Sequence, residues 1–339
     1  MEKVRLGKTG LVVTGIGWGG IPIQRVGEDE AVSVIRAVVE MGVDLLDTAR
    51  AYSNSEHRIG LALEGVHRPV VLSTKSQVRT ARIYDEVHES LRQLKVKKID
   101  IYHLHMVPTM EEYEKVMASG GAYEGLLRAR DEGLIDHIGM SSHNLDVLAR
   151  AAEDRSVSVV MACYSFLEPD AATRLFPLAK ANDIGVIAMK PFSGGVIEDA
   201  GPALRFVLSA EGIVPIPGSE TLEKAGENWR IFSEGGGLTE DDKERIEALR
   251  KEYNYRFCRR CDYCQPCTEG ISIQLILGLK STIKRFGSQM GELAWMTEAI
   301  DKGRKCTGCG ECLARCPYGL PIPDLIKENM SLYDSFRAI

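Results

Sequence analysis

The sequence predicts an α/β protein built as a (β/α)8 TIM barrel with a small helical domain behind it. Three observations carry that expectation. Between residues 14 and 232, eight short apolar runs alternate with amphipathic stretches. Gly235-Gly236-Gly237 then interrupts the pattern, and eight of the nine cysteines fall beyond the break, from Cys258 to Cys316. Eight strand–helix units over roughly 220 residues are what a barrel of this kind requires. A doubly wound open sheet is the competing arrangement, because periodicity does not separate the two. The expected division is residues 1–237 for the barrel and 238–339 for a linker helix and the cysteine-rich domain.

The expected strands, in order, are Gly15–Trp18, Val43–Asp47, Val70–Lys75, Ile99–His105, Ile135–Ser141, Val157–Cys163, Gly185–Lys190 and Ile213–Pro217. Between them lie helical patterns at Asp29–Met41, Ala81–Leu94, Ala122–Glu132 and Ala171–Ala181. The second of these repeats Ile83, Val87, Leu91 and Leu94 at helical spacing. Beyond the glycines, Thr239 with Asp242 three residues on reads as the start of a charged helix running to about Tyr253. Ile271–Phe286 and Gly291–Ile300 read as helices between the two cysteine runs. A barrel carries its functional side chains at the C-terminal ends of its strands. Asp47, Lys75, His105 and Ser141 each close an expected strand.

Composition narrows the function classes. A 339-residue chain that is 44% hydrophobic and 27% charged is ordinary for a soluble globular protein. A net charge of -6 argues against a nucleic-acid partner. No stretch approaches the ~18 apolar residues of a membrane span, and Met1-Glu-Lys-Val-Arg-Leu-Gly7 lacks the apolar centre of a signal peptide. Cytoplasm is the expected location.

The cysteines form two runs, Cys258-x2-Cys261-x2-Cys264-x2-Cys267 and Cys306-x2-Cys309-x2-Cys312-x3-Cys316-Pro317. The second has bacterial ferredoxin spacing, in which the fourth cysteine ligates the other cluster. Two [4Fe–4S] clusters are therefore expected with crossed ligands: Cys258, Cys261, Cys264 and Cys316 for one, Cys306, Cys309, Cys312 and Cys267 for the other. Structural zinc pairs its cysteines across a longer gap and suits these runs less well. Cys163 stands apart and reads as a small buried side chain.

The stretch Val43-Asp-Leu-Leu-Asp-Thr-Ala-Arg-Ala-Tyr-Ser-Asn-Ser-Glu-His-Arg-Ile-Gly60, with Leu72-Ser-Thr-Lys75 and Ile99-Asp-Ile-Tyr-His-Leu-His105, resembles the signature segments of the aldo-keto reductases. Arg5–Thr14 resembles the hairpin that closes the barrel bottom in that family, and the likeness extends to about residue 232. The whole chain resembles the ferredoxin-type aldo-keto reductases of anaerobic bacteria and archaea. The resemblance implies an NADP- or NAD-dependent oxidoreductase acting on a small carbonyl or alcohol. It implies a catalytic tetrad of Asp47, Tyr52, Lys75 and His105, with Tyr52 as proton donor. His103, two residues before His105, shares its strand face and reads as a hydrogen-bonded histidine deeper in the barrel.

The resemblance also assigns Ser141, Ser142, Met161 and Met189 to the cofactor's nicotinamide side; Gly19 and Gly20 are expected to bind cofactor as well, and Lys190, after the seventh strand, adds a cation expected to contact phosphate or substrate. It assigns Gly218, Ser219, Lys224, Glu227 and Asn228 to its adenine side. Met161 stands where the family has glutamine, and Met189 where it has the stacking aromatic ring. Gly218 stands where a lysine often meets the 2′-phosphate. The clusters add a complication: a nicotinamide gives two electrons together, each cluster takes one, and flavins normally bridge that gap. A second expectation is therefore an electron-transfer subunit meeting a flavoprotein or ferredoxin-linked enzyme. A third is a redox sensor that binds its ligand without turnover.

Overall fold

The computed structural model describes residues 2–287, 290 and 293–337. An antiparallel hairpin, β1 (Lys3–Arg5) and β2 (Val12–Thr14), precedes eight parallel strands. These are β3 (Trp18–Gly19), β4 (Leu45–Asp47), β5 (Val71–Ser76), β6 (Ile99–Leu104), β7 (Ile135–Ser142), β8 (Val159–Cys163), β9 (Gly185–Met189) and β10 (Ile213–Pro215). Each pairs with the next in chain order. A parallel bridge between Gly19 and Gly218, with Gly17 N–H donating to the Pro215 carbonyl at 2.9 Å, joins the last strand to the first. The sheet is a barrel and not an open doubly wound sheet.

Alternation along the strands buries both faces, as parallel sheets require. Leu45, Ile101, Val159, Ile187 and Val214 point inward and pack with Val4, Leu6 and Val13 of the hairpin. Their neighbours Leu46, Leu72, Tyr102, Val160 and Ala188 point outward into the layer under the helices. Glu28–Met41 buries Ala31, Val34, Ile35, Val38 and Val39 and opens with three acidic residues that suit its N-terminal dipole. Ile83–Leu94 buries Ile83, Val87, Leu91 and Leu94.

Two expected helices are broken, each for a local reason. Ala171–Ala181 divides into Ala171–Arg174 and Phe176–Ala181, because Pro177 lacks an N–H and clashes with the carbonyl four residues back. Ile271–Phe286 divides at Gly278 into Ile273–Leu277 and Leu279–Phe286, where glycine lowers helix propensity. In place of Gly291–Ile300 the helix is Ala294–Gly303; Gly291 and Glu292 lie outside the described residues.

The chain forms two compact units, Met1–Lys243 and Glu244–Ile339. In the first, the Asp242 carboxylate accepts from Thr239 N (3.0 Å) and Thr239 Oγ1 (2.9 Å), capping the helix that begins at Glu240. The same carboxylate accepts two 2.8 Å bonds from Arg205. The second unit has its own core, including Ile273, Ile276, Leu279, Met296, Ile300 and Leu325, with Cys258, Cys267, Cys306, Cys312 and Cys316 packed against it. Among the described residues, no helix is long and apolar enough to cross a membrane.

Candidate active site and cysteine sites

The period of two along β4, β5 and β6 brings a polar set to the upper interior of the barrel. Lys75 and Asp47 are both buried. Lys75 Nζ donates to Asp47 Oδ2 at 2.5 Å and to the Thr48 carbonyl at 2.6 Å. Ser73, two residues before Lys75, donates to Asp47 Oδ1 at 2.8 Å. That spends the Ser73 proton, so His103 Nε2, 3.0 Å from Ser73 Oγ, must carry the hydrogen of their shared bond. His103 Nδ1 is then a bare acceptor, buried and without a partner among the described residues. Gly139 on β7 makes room for this ring: a Cβ there would lie 2.2 Å from His103 Nδ1.

Burial opposes the Lys75 charge, but the adjoining Asp47 carboxylate and Tyr52 hydroxyl outweigh it and hold the lysine above its ordinary pKa. Burial moves the Asp47 carboxyl upward, against the pull of Lys75 and Ser73. Tyr52 is half-buried, with Lys75 Nζ 5.1 Å from its ring centre. Its ring lies edge-on to His105 at 6.1 Å. The loop carrying it is pinned to β5 by Arg50 N–H donating to the Lys75 carbonyl at 3.0 Å. The Arg50 guanidinium then bridges Glu56 (2.7 Å) and Glu86 (2.9 Å).

His105 follows the end of β6, its N–H on the Ser76 carbonyl and its own carbonyl held by Arg79 at 2.9 Å. Burial, then Lys75, Arg79, His103 and Lys190, keep its pKa well below the usual histidine value. It is therefore neutral near pH 7, and its Nδ1 is buried without a partner among the described residues. Tyr52 hydroxyl, Lys75 ammonium and a neutral imidazole thus share one end of the barrel. Such a set can stabilise negative charge on a bound oxygen and exchange a proton with it.

The residues assigned to the cofactor are more dispersed. Ser141 Oγ accepts from Met106 N at 2.9 Å. Ser142 faces the other way, donating to the Val107 carbonyl at 2.6 Å. Met161 is buried in the inner barrel core, and Met189 packs against that core beside Cys163, its register partner on β8. Lys190 follows β9 with φ 60° and reaches His143 Nε2 at 2.7 Å. Ser219 is buried and accepts from Trp18 Nε1 at 2.9 Å. Asn228 lines a cleft with Trp18, Ser219 and Trp229.

Glu227 is exposed on helix Leu222–Glu234, and Lys224 pairs with Glu220 at 2.7 Å. Arg25 approaches the same Glu220 carboxylate at 3.8 Å. Gly19, Gly20 and Gly218 lie at the closing seam of the barrel. A Cβ on them would meet the Ile216 carbonyl at 2.8 Å, Ser55 Oγ at 2.8 Å and Pro22 Cγ at 2.6 Å, so the protein's own chain fills their space.

Ser73, Arg50, Gly139 and Glu220 escaped the sequence reading. Ser73 was recognisable in principle, since it shares the Lys75 face of β5. The bridging by Arg50 and Glu220 depends on segments brought together by folding and has no local signal.

The eight clustered cysteines sort into two sets. Burial pushes the Cys264 thiol up to about 12, with Cys258, Asp262 and Cys261 adding to the shift. Cys261 is also raised by burial, and Cys316 is among the neighbours that add to it. Cys312 is raised by burial and then by Cys309, Cys267 and Cys306. Cys267, Cys306, Cys309 and Cys312 line one open pocket. Among the described residues, no three His, Cys, Asp or Glu side chains converge on a single-ion site. The two runs share a backbone device: Arg260 and Asp262 flank Cys261 with φ of 59° and 64°, and Gly308 and Gly310 flank Cys309 with φ of 71° and 81°.

Comparison with known proteins agrees with this geometry. The Aldo/keto reductase family profile matches residues 10–202, more than half of the chain. The chain belongs to the aldo/keto reductase family. The profile of the 4Fe-4S dicluster domain matches residues 257–321 of this reductase. L-galactose dehydrogenase of Arabidopsis thaliana is 25% identical over 222 residues, 60% of this chain and 69% of that protein. D-threo-aldose 1-dehydrogenase of a Pseudomonas species is 26% identical over 233 residues, 57% of this chain and 70% of that one. Among solved structures, the holo form of an aldo-keto reductase from Bacillus halodurans superposes with a TM-score of 0.64 at 23% identity, covering 74% of this reductase and 96% of that chain. An aldo-keto reductase from Klebsiella pneumoniae in complex with NADPH gives 0.60 at 21% identity, covering 73% and 94%. At these identities the structures share the fold.

Proposed function

We propose that this aldo/keto reductase moves hydride between a nicotinamide dinucleotide and a small carbonyl or alcohol, with Tyr52 as the proton donor and two [4Fe–4S] clusters in its second unit. The observation that carries the reading is the buried Lys75–Asp47 pair beneath Tyr52. A bound reduced nicotinamide supplies hydride to the carbonyl carbon. Tyr52 Oη gives its proton to the carbonyl oxygen. The Lys75 ammonium stabilises the phenolate left behind, and Asp47 and the Thr48 carbonyl hold that ammonium in place. Neutral His105 donates one N–H to the same oxygen as charge develops on it. In the reverse direction the phenolate takes the proton from an alcohol.

The unpartnered His105 Nδ1 and the half-buried Tyr52 support a ligand at the barrel mouth. Ser141, Met189 and Lys190 would hold the nicotinamide side; Ser219, Lys224, Glu227 and Asn228 would hold the adenine side. The Klebsiella relative was solved with NADPH, which makes NADP the first cofactor to test. Glu220 already engages Lys224 and Arg25, so a 2′-phosphate would compete with a carboxylate for both cations. NAD is the second.

For the clusters, the two charge-coupled cysteine sets support crossed ligation. Cys258, Cys261, Cys264 and Cys316 would hold one, and Cys306, Cys309, Cys312 and Cys267 the other. Four-cysteine runs, the second with ferredoxin spacing, suit a multi-iron cluster better than tetrahedral zinc. Cys309 is exposed; an exposed cluster is oxygen-sensitive, which fits the cytoplasm of an anaerobe.

One observation favours a second reading, an electron-transfer subunit serving a flavoprotein or another redox partner. The Ser142 hydroxyl is spent on Val107, and Met161 lies in the barrel core, so the nicotinamide grip is reduced. Anaerobic titration with NADPH and NADH, before and after a panel of aldehydes and ketones, separates the two. Cofactor oxidation that requires a carbonyl, and that falls about 10²–10⁴-fold in Tyr52→Phe with cofactor binding intact, is the expected result. Clusters that bleach without a carbonyl, in wild type and Tyr52→Phe alike, would replace it with the second reading.

A further inference from the structure

We infer that Ser73 and His103 are positioning residues for the reaction. They form a one-way hydrogen-bond chain, His103 Nε2–H to Ser73 Oγ–H to Asp47 Oδ1, that keeps the other Asp47 oxygen turned onto Lys75. The inference rests on the hydride-transfer reading above. Asp47 and Ser73 are register partners on β4 and β5, Lys75 and His103 on β5 and β6, and His103 and Gly139 on β6 and β7. Side chains two apart on a strand share a face, so β5 holds the Asp47 carboxylate at both oxygens. Ser73 Oγ lies 2.8 Å from Oδ1, and Lys75 Nζ lies 2.5 Å from Oδ2. An ammonium has three donors. Lys75 spends one on Asp47 and one on the Thr48 carbonyl, and the Tyr52 hydroxyl is the further partner that helps hold it charged. A carboxylate gripped at one oxygen can pivot about its last torsion, and Lys75 would swing with it. Ser73 removes that freedom.

His103 decides which way the Ser73 hydroxyl points. With a bare Nε2, 3.0 Å away, the imidazole would accept the Ser73 proton and take it from Asp47. That tautomer carries its hydrogen on Nδ1. The Nδ1 atom is buried against Gly139, where a Cβ would lie 2.2 Å from it, and it has no partner among the described residues. A buried N–H without an acceptor costs about 1–3 kcal/mol. The imidazolium is opposed by burial and then by Lys75. The hydrogen therefore stays on Nε2, and the Ser73 proton is left for Asp47. Donors linked in this way polarise and strengthen one another. Ser73 and His103 are themselves buried, so they act through Asp47 and not on a ligand at the mouth.

The test uses the full chain, reconstituted anaerobically, with the reduced nicotinamide and the carbonyl that it turns over fastest. The readouts are the single-turnover rate and the KM of each substrate. Ser73→Ala should lower the single-turnover rate about tenfold and leave both KM values in place. Ser73→Thr, which keeps the hydroxyl, should restore most of the rate. His103→Leu should cause a smaller fall and add nothing to Ser73→Ala. In an Asp47→Asn background, Ser73→Ala should cost far less than it does in wild type, because the two act as one unit. In 15N spectra of histidine-labelled protein, the His103 ring, assigned by its absence in His103→Leu, should carry its hydrogen on Nε2. That measurement on wild type and the threonine variant carry the test if Ser73→Ala fails to fold. A hydrogen on Nδ1, a threonine variant as slow as the alanine one, or an equal cost of Ser73→Ala with and without Asp47→Asn would overturn the inference and leave the tetrad reading standing. A wild type that reduces no carbonyl, or a Tyr52→Phe variant as fast as wild type, would overturn the hydride-transfer reading, and this inference with it.

Discussion

At the barrel mouth, buried charge is met by opposite charge. Lys75 and Asp47 are each other's counter-ions, and Ser73 and the Thr48 carbonyl take up the neighbouring hydrogen-bonding capacity. In the cysteine unit the neighbours are like groups. Cys264 is pushed up to about 12 by burial and by Cys258, Asp262 and Cys261. The first arrangement is complete in the polypeptide, so the barrel can hold its site ready. The second places thiols where ionisation is penalised, and a metal-bearing ligand is what repays that penalty. One site is organised by its own side chains; the other, as proposed, is completed by what it binds.

The two cysteine runs offer a smaller contrast of the same kind. Both turn through left-handed conformations on either side of their second cysteine, but one uses Gly308 and Gly310 where the other uses Arg260 and Asp262. A non-glycine residue in that conformation costs roughly 1–2 kcal/mol. Under the proposed ligation, the first run therefore depends more on its cluster to hold its shape.

The largest effect should come from removing iron. Anaerobic chelation should open the cysteine unit while the barrel persists, because five of its cysteines pack directly against a modest apolar core. Limited proteolysis should then cut between about residues 254 and 321 and spare residues 3–232. Equal cutting in both units, or resistance in both, would show that the two do not differ in this way.

Next in size is Lys75→Met. It leaves Asp47 as a buried carboxylate without its counter-ion, a change worth about 3–5 kcal/mol, measured by denaturant unfolding of the barrel. Pairing it with Asp47→Asn should recover part of that loss. A double variant no more stable than Lys75→Met would mean the charge pairing is not what holds this site.

The smallest effect is in pH dependence. Burial, followed by nearby cations, keeps His103 and His105 well below the usual histidine pKa, so below about pH 6.5 the unfolded chain binds more protons than the folded one. Stability is then lost as the pH falls, by up to about 1.4 kcal/mol per pH unit for each histidine. His103→Gln should remove one histidine's share of that slope. An unchanged slope would mean other groups govern acid unfolding.

Much of the barrel was legible because its signals are local. Apolar runs with period two and helices with period 3.6 are written along the chain, and the charged or polar residues that end strands at Asp47, Lys75 and Ser141 stand out against them. Pro177 and Gly278 were equally visible breakers, yet the apolar pattern runs through both and masks the break. The closing bridge of Gly19 and Gly218 was not legible, because it joins residues at opposite ends of the barrel sequence. Nor was the fate of Ser142 and Met161. A one-residue step along a strand turns a side chain to the other face, and only the register shows which hydroxyl faces the mouth.

By itself, the sequence determined the alternating strands and helices, the chemistry available at the strand ends and the spacing of the cysteines, since each depends on residues near one another in the chain. The tertiary structure decided which polar groups are already satisfied. It set Ser73 between Asp47 and His103, opened space for that ring at Gly139, and left the Arg315 guanidinium on the cysteine pocket. Burial and partnership depend on distance in space, and distance along the chain does not report them.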